Sequence, residues 1–251
     1  MANFVLVHGA FHGAWSWAGI AEDLRKAGHN VVSPDLPGAG EDKTPLSEVT
    51  LASATKRVLE SLRSLDGPSI LVGHSMGGVV ITQAAAAEPS LVSKLIYLTA
   101  FRPVDGESLL DLTSLPEGAG DGVQTNITIT GEPPVATFDA AQANTVFYHD
   151  VSPDLTQHAT ARLGDQPLAL FATPVSLGNS ELPPQEYVVC TQDGAIPPAL
   201  QRFMAERNLA VIHELEASHS PFYSMPDEVV SILLNATKRI DSQLDQGEII
   251  A

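Results

Sequence analysis

The sequence predicts an α/β fold with a mostly parallel sheet flanked by helices. Short apolar runs recur along the chain without alternating polar residues, which is typical of strands that are buried on both faces. Between these runs, apolar residues recur three and four positions apart, which is the spacing of amphipathic helices. Because strand and helix patterns alternate, we expect parallel strands joined by right-handed crossovers.

The predicted strands are the apolar runs at residues 4–7, 31–32, 70–72, 95–98, 187–190 and 211–212. The predicted helices cover residues 17–27, 51–65, 78–88 and 226–240. Pro226 suits the first turn of the last helix, where its missing N–H would have no helical partner.

The regular alternation stops between residues 102 and 184, where Gly, Pro and Asp are frequent. A strand pattern at 125–130 and helical patterns at 139–146 and 152–163 occur within this segment. We therefore predict a core domain of residues 1–101 plus 185–251 and a cap insertion of residues 102–184. The cap is expected over the carboxyl edge of the sheet, where open α/β sheets bind ligands. A second, unrelated domain is the alternative.

The charge balance excludes some classes of partner. Thirteen basic and thirty acidic residues give a net charge of −17, which repels nucleic acid and anionic membranes. The single cysteine, Cys190, excludes an internal disulfide and a cysteine-rich metal site. Neither a secretion signal nor an apolar run long enough to span a membrane is visible, so we expect a cytoplasmic protein.

A glycine-flanked serine is the strongest chemical signal in the chain. Residues Gly73-His74-Ser75-Met76-Gly77 lie between the predicted strand at 70–72 and the predicted helix at 78–88. A G-x-S-x-G turn between a strand and a helix exposes its serine at the edge of the sheet, and the glycines allow the turn to be tight. This placement predicts that Ser75 is a nucleophile.

A serine nucleophile needs a base and a carboxylate that orients the base. After a serine in such a turn, the expected chain order is carboxylate and then histidine. Asp193 follows the predicted strand at 187–190, and His219 follows the predicted strand near 213. We predict His219 as the base and Asp193 as its partner, with Asp105 as the alternative acid.

The negative charge that forms during attack on a carbonyl needs at least two hydrogen-bond donors. The Met76 N–H, at the start of the predicted helix, is one candidate donor. The Ala10 N–H, in the loop after the first predicted strand, is the other, and Gly9 allows the backbone to come close.

With these residues in place, the chain resembles the plant methylesterase and hydroxynitrile lyase group of the α/β-hydrolase superfamily, which includes bacterial esterases. The resemblance is carried by residues 4–17 (FVLVHGAFHGAWSW), 71–78 (LVGHSMGG), 189–197 (VCTQDGAIP) and 217–219 (ASH). It covers most of the predicted core and little of the predicted cap. It implies the α/β-hydrolase fold with a helical cap.

The resemblance implies a serine carboxylesterase that hydrolyses small aryl or methyl esters through an acyl-enzyme, without a metal or cofactor. The expected partner is a small-molecule ester, and formation of a homodimer is left as a possibility. Lyases of the group carry threonine where Gly9 stands and lysine where Ser220 stands. A hydroxynitrile lyase is therefore one alternative, and a slow, receptor-like ligand-binding hydrolase is another.

The substrate pocket is expected to be mostly apolar with a few polar groups. The candidates are aromatic and histidine side chains near the predicted loops or in the cap. They are Phe11, His12, Phe101, Phe147, Tyr148 and Phe222, with Leu168 and Phe171 as further candidates.

Overall fold

The computed structural model of the protein describes residues 1–207 and 211–247. The strands are β1 (Asn3–Val7), β2 (Asn30–Val32), β3 (Ser69–Ser75), β4 (Val92–Ala100), β5 (Ile127–Thr130), β6 (Val135–Phe138), β7 (Gln166–Pro167), β8 (Gln185–Cys190) and β9 (Val211–Leu215). Each strand predicted for the core is present.

The helices alternate with the core strands and also occur in the segment between β4 and β8. They are α1 (Ala18–Lys26), α2 (Leu51–Arg63), α3 (Gly77–Ala87), α4 (Leu109–Thr113), α5 (Pro153–Thr160), α6 (Ala169–Ala172), α7 (Pro198–Ala205), α8 (Pro221–Ser224) and α9 (Pro226–Gly247). Local signals explain how two of them begin: the Thr50 hydroxyl accepts the Ser53 N–H at the start of α2, and Pro226 opens α9.

The core strands form one sheet in the order β2-β1-β3-β4-β8-β9, with parallel pairing throughout the described residues. The register places Val7 beside Gly73, and Gly73 beside Tyr97. Because the strands are parallel, their carboxyl ends lie at the same edge of the sheet. The loops after β1, β3, β8 and β9 therefore meet there.

Both faces of the sheet are buried. Along β1, Phe4 and Leu6 pack on one face with residues of α1 and α9, whereas Val5 and Val7 pack on the other with residues of α2 and α3. Successive side chains of a strand point to opposite faces, so an apolar run without alternation fills two cores.

The segment between β4 and β8 carries the antiparallel sheet β5-β6-β7 and packs on the main core. Phe147, Tyr148 and Phe171 belong to the same apolar cluster as Val5 and Val7. The division into core and cap stays a prediction, and residues 208–210 and 248–251 of the predicted core lie outside the described residues.

Some local structure in this segment differs from the expectation. The predicted helix at 139–146 is replaced by short turns and one turn of π-helix, Asn144–Tyr148. β6 was not predicted because its four residues are ordered by pairing with β5 and with β7, which lies about thirty residues further along the chain. Among the described helices, none combines the length and the apolar composition that crossing a bilayer requires.

We predict that Gly78→Ala destabilises the protein by about 3 kcal/mol, as strong overpacking does. A Cβ at position 78 would overlap the carbonyl oxygen of Phe101, a backbone atom that cannot turn aside. Gly19→Ala in α1 is the matched control, because a Cβ there meets open space and alanine favours a helix by up to about 1 kcal/mol. Urea unfolding of both variants checks this, and equal stability for the two would contradict the packing argument.

Candidate active site

Ser75 is the last residue of β3 and stands in a strained turn before α3. Its φ is 53°, a left-handed conformation that non-glycine residues rarely adopt. The turn is tight on both sides: a Cβ at Gly73 would lie 2.9 Å from the backbone of Gly77, and a Cβ at Gly77 would lie 2.7 Å from the Val7 carbonyl oxygen. The turn holds the serine at the carboxyl edge and directs the amino end of α3 towards it.

His219 and Asp193 form a buried hydrogen-bonded pair at the same edge. The His219 Nδ1 atom lies 2.8 Å from Asp193 Oδ2, and both side chains are buried. A carboxylate accepts hydrogen bonds, so Nδ1 carries the proton in this bond. The other ring nitrogen, Nε2, has no hydrogen-bond partner among the described residues and is able to accept a proton.

Asp193 is held by donors on both carboxylate oxygens. Oδ1 accepts the N–H groups of Ala195 at 2.7 Å and Ile196 at 2.9 Å. Oδ2 accepts Gln201 Nε2–H at 3.0 Å and the Thr99 hydroxyl, in addition to the histidine. These donors fix the orientation of the carboxyl group.

Sequence reasoning missed Thr99 and Gln201. Thr99 adopts a φ of 38°, and the β3–β4 register passes over it so that Ser75 pairs with Ala100. A register shift of this kind re-aims a side chain, and here Thr99 is turned towards Asp193. Its signal was a polar residue at the end of a predicted strand, whereas no local signal marks Gln201 as a partner of Asp193.

The alternative acid, Asp105, lies in a different environment. It is exposed, and its Oδ1 accepts the Leu177 N–H at 2.7 Å. The structure therefore pairs His219 with Asp193 and leaves Asp105 to hold a loop.

His74 places the His219 segment next to the serine turn. The His74 Nε2–H donates to the His219 carbonyl oxygen at 2.8 Å, and the two ring centroids are 4.6 Å apart. Within the described part of the chain, Ser75 Oγ makes no hydrogen bond, with the His219 ring or with any other group. In enzymes without substrate, catalytic hydrogen bonds are often long and tighten only in the complex.

His8 orients the peptide between Gly9 and Ala10. Its Nδ1–H donates to the Gly9 carbonyl oxygen at 2.8 Å, and its Nε2 accepts the Leu36 N–H at 3.0 Å. Accepting an N–H keeps the ring neutral, and burial lowers its pKa. A trans peptide directs its N–H opposite to its carbonyl, so the Ala10 N–H points away from His8.

Two backbone N–H groups lie beside the serine without a protein acceptor. Among the hydrogen bonds of residues 1–207 and 211–247, none uses the Ala10 or the Met76 N–H as donor. Ala10, Ser75 and Met76 line one cavity. The arrangement can hold an anion that forms on an atom bonded to the serine oxygen.

His12 supports the same loop from behind. Its Nδ1–H donates to the Ala10 carbonyl oxygen at 2.7 Å, and its Nε2 lies 2.7 Å from the Tyr148 hydroxyl. Burial lowers the pKa of His12 to about 3. The ring is therefore neutral at ordinary pH, and Nε2 accepts a hydrogen bond from the Tyr148 hydroxyl.

The cavity next to Ser75 is mostly apolar and holds about 490 Å³ of space unfilled by protein atoms, its open mouth included. Most of its lining residues belong to the loops at the carboxyl edge and to the segment between β4 and β8. They are Ala10, Phe11, Ser75, Met76, Phe101, Leu109, Leu110, Thr113, Asp121, Val123, Gln124, Ile127, Phe147, Phe171, Ala195 and Ile196.

Of the six residues predicted to bind substrate, Phe11, Phe101 and Phe147 lie on the cavity wall, and Phe171 joins them. The others lie elsewhere. His12 and Tyr148 bond to each other behind the Ala10 loop. Phe222 packs on Trp17, with ring centroids 5.3 Å apart, and on His74, at 4.9 Å. Leu168, a further candidate, is also absent from the wall. Among the residues that the structure describes, no group of three or more His, Cys, Asp or Glu could hold a metal ion.

The segment between β4 and β8 is hydrogen-bonded to the loops that carry the site. Its hydrogen bonds include one to the loop after β1, one to the loop after β8 and one to the loop after β9. They run from Gly164 N–H to Phe11 O at 2.8 Å, from Gly122 N–H to Gly194 O at 3.1 Å, and from Ser218 N–H to Asp150 Oδ2 at 2.8 Å. The segment between β4 and β8 therefore holds these loops in place together with the sheet.

We predict that His12 contributes to loss of stability in acid. Its pKa is about 3 in the folded protein against 6.5 for a free side chain, so only the unfolded chain binds the proton between these values. The free energy of unfolding should therefore fall as pH drops below about 6.5, by about 1 kcal/mol per pH unit from this residue. Urea unfolding between pH 4 and 7.5 measures the slope.

His12→Gln should have a smaller slope than the wild type in this window, whatever its stability at pH 7.5. His158→Gln, which changes an exposed histidine of α5, is the matched control and should keep the wild-type slope. An unchanged slope in His12→Gln would contradict the neutral, buried state of this ring.

Comparison with known proteins agrees with the fold. Residues 4–232 match the Alpha/beta hydrolase family. Methylesterase 7 of Arabidopsis thaliana is 32% identical over 257 residues, covering 92% of this chain and 95% of the relative. A carbendazim hydrolyzing esterase of Nocardioides sp. (strain SG-4G) is 46% identical over 114 residues, covering 45% of this chain and 47% of the relative.

Solved structures give the same result. The crystal structure of a pyrethroid hydrolase from Sphingobium faniae JZ-2 superposes with a TM-score of 0.84 at 28% identity, covering 93% of this chain and 96% of that chain. Polyneuridine aldehyde esterase superposes with a TM-score of 0.83 at 25% identity, covering 94% and 99%. The match over most of the chain, together with a serine turn and a His–Asp pair at one edge of a parallel sheet, means that this protein belongs to the α/β hydrolase family.

Proposed function

We propose that this protein is a serine carboxylesterase that hydrolyses small carboxylic esters, such as aryl or methyl esters, through an acyl-enzyme. One observation carries the proposal: a strained Ser75 shares a cavity with two N–H groups that have no acceptor among the described residues, and His219 of the buried His219–Asp193 pair contacts His74 of the same turn. The enzyme class is carboxylic ester hydrolase, which is also the class that the names of several relatives give.

In the first half of the reaction, Ser75 Oγ attacks the ester carbonyl carbon and gives its proton to His219 Nε2. The carbonyl oxygen becomes an oxyanion that accepts the Ala10 and Met76 N–H groups. Asp193 accepts the Nδ1–H and stabilises the imidazolium. The C–O bond to the alcohol then breaks, and Nε2–H protonates the departing oxygen, which leaves an acyl-Ser75.

In the second half, a water molecule gives a proton to Nε2 and attacks the acyl carbon. The same two N–H groups stabilise the second oxyanion. The bond to Ser75 Oγ breaks, the serine takes back the proton from Nε2, and the carboxylic acid leaves. No step needs an added redox or electrophilic group, because Ser75, His219 and the backbone donors carry every charge and proton.

The alternative of a hydroxynitrile lyase is less well supported. The lyases that this chain resembles place a threonine at the position of Gly9. Here, a Cβ at position 9 would lie 2.8 Å from Ser75 Cβ and 2.9 Å from His74 Nδ1, so the loop has no room for it. At the position of the lyase lysine, Ser220 is fully buried and carries no charge. A receptor-like protein with slow turnover is distinguished by the kinetics below.

We predict that Ser75→Ala lowers kcat on p-nitrophenyl acetate or butyrate by about 10⁴-fold or more, because the acyl-enzyme cannot form. Ser90→Ala, which changes an exposed serine, is the matched control and should keep wild-type kcat. A fluorophosphonate probe should label the wild type and Ser90→Ala but not Ser75→Ala. Ester turnover that survives in Ser75→Ala would rule out the proposed nucleophile, and tight binding of esters without turnover by the wild type would favour the receptor-like alternative.

We also predict that Gly9→Ala lowers kcat by about 10²- to 10³-fold. The added methyl group would push Ser75 or the Ala10 N–H out of line, and small displacements of reacting groups have effects of this size. The control is Gly19→Ala, whose Cβ meets open space. Equal kcat in both variants would show that the Gly9 loop is not part of the reacting geometry.

A further inference from the structure

The cavity beside Ser75 contains a carboxyl group that the proposed mechanism does not use. Asp121 lies on the wall of this mostly apolar cavity and is only 5% exposed. A buried carboxylate without sufficient hydrogen-bond partners is unfavourable. The stability of this buried carboxyl group therefore depends on the groups that bind it.

One carboxylate oxygen of Asp121 accepts two hydrogen bonds from the protein, and the other has little hydrogen bonding within the described residues. Oδ1 accepts the Val123 N–H at 2.8 Å and the Gln124 N–H at 3.0 Å. Among the residues that the structure describes, Oδ2 has only Gln124 Nε2 at 3.5 Å, the outer limit of a hydrogen bond. Because each carboxylate oxygen can accept about two hydrogen bonds, Oδ2 keeps unused acceptor capacity.

The backbone holds Asp121 in this position. The next residue, Gly122, donates its N–H to the Gly194 carbonyl oxygen at 3.1 Å, and Gly194 directly follows Asp193. A Cβ at position 122 would overlap that carbonyl oxygen, so the two backbones are in close contact. Burial raises the pKa of Asp121, and the hydrogen bonds from Gln124 and Val123 act against this rise. The carboxyl group lies on the wall of the same cavity as Ser75.

We propose that Asp121 determines substrate specificity by accepting a hydrogen bond from a hydroxyl or N–H group on the non-reacting end of the ester. This inference rests on the proposed carboxylesterase activity. An ester with such a donor fills the free capacity of Oδ2, whereas an ester without one leaves a buried acceptor unpaired. Sites of this kind reject analogues that lack the donor, and a lost buried partner alone accounts for about ten- to a hundred-fold.

Asp121 also closes the turn at residues 121–124, and a role limited to this turn is the alternative. Asp139 provides the comparison, because its side chain accepts the Ala141 N–H at 3.0 Å in a similar turn of the same segment. Asp139 is exposed and absent from the cavity wall. If Asp121 only closes its turn, substituting it should affect the preference among esters no more than substituting Asp139. If Asp121 binds substrate, only its own substitution should change this preference.

The test compares kcat/KM for methyl esters of phenylacetic acid that carry a hydroxyl, a methoxy group or hydrogen on the ring, at each of the three ring positions. In the wild type, at least one hydroxyl isomer should exceed both its methoxy and its unsubstituted partner by about tenfold or more. Asp121→Asn retains an acceptor for the turn but replaces the free oxygen by an N–H donor. The hydroxyl-to-methoxy ratio should then fall at least about fivefold, while Asp139→Asn should keep the wild-type ratio.

Asp121→Ser is a second variant that also retains a short acceptor for the turn, and it should lose the hydroxyl preference too. Thermal unfolding confirms that each compared variant is folded. A wild-type ratio near one for every isomer, or a ratio unchanged in a folded Asp121 variant, would overturn this inference while leaving the esterase intact. Failure of the wild type to hydrolyse any ester would instead overturn the proposed function.

Discussion

Parallel pairing of the core strands is the constraint on which the site depends. It brings the carboxyl ends of β1, β3, β4, β8 and β9 to one edge, so loops far apart in the chain become neighbours. Ser75, Asp193 and His219 each follow or end one of these strands. An antiparallel neighbour would send its loop to the opposite edge, and the Asp–His pair could not form beside the serine.

Around this edge, the site is organised in advance by fixed hydrogen bonds. Asp193 accepts five donors, three of them on the oxygen that faces the histidine. His8 and His12 are neutral rings that hold two successive carbonyl groups, which fixes the peptide that carries the Ala10 N–H. Fixed dipoles in a buried site act strongly and need little reorganisation during a reaction. The strain at Ser75 and Thr99 is tolerated because the surrounding contacts define both backbones.

The segment between β4 and β8 is part of the structure of the site. Its aromatic residues share a cluster with the core, and its backbone and side chains bond to three of the site loops. The same segment supplies Asp121, Val123 and Gln124 to the cavity wall. The sheet thus positions the proposed reacting groups, and this segment shapes the space in which a substrate would lie. The relatives are named for different substrates although they are similar in sequence or fold, which agrees with a sheet that is shared and a cavity that differs.

The sequence by itself determined the fold class and the positions of Ser75, Asp193 and His219 at or after the carboxyl ends of strands, because strand patterns, a tight glycine turn and residues directly after strands are local features. Only the tertiary structure decided which residues surround them. Thr99 bonds to Asp193 across 94 positions and His12 to Tyr148 across 136, and no local pattern encodes such pairs. The same holds for Phe222, whose aromatic character is clear from the sequence although its packing under His74 is not. Side-chain direction and long-range register depend on packing of the whole chain, so these contacts appear only when the chain is folded.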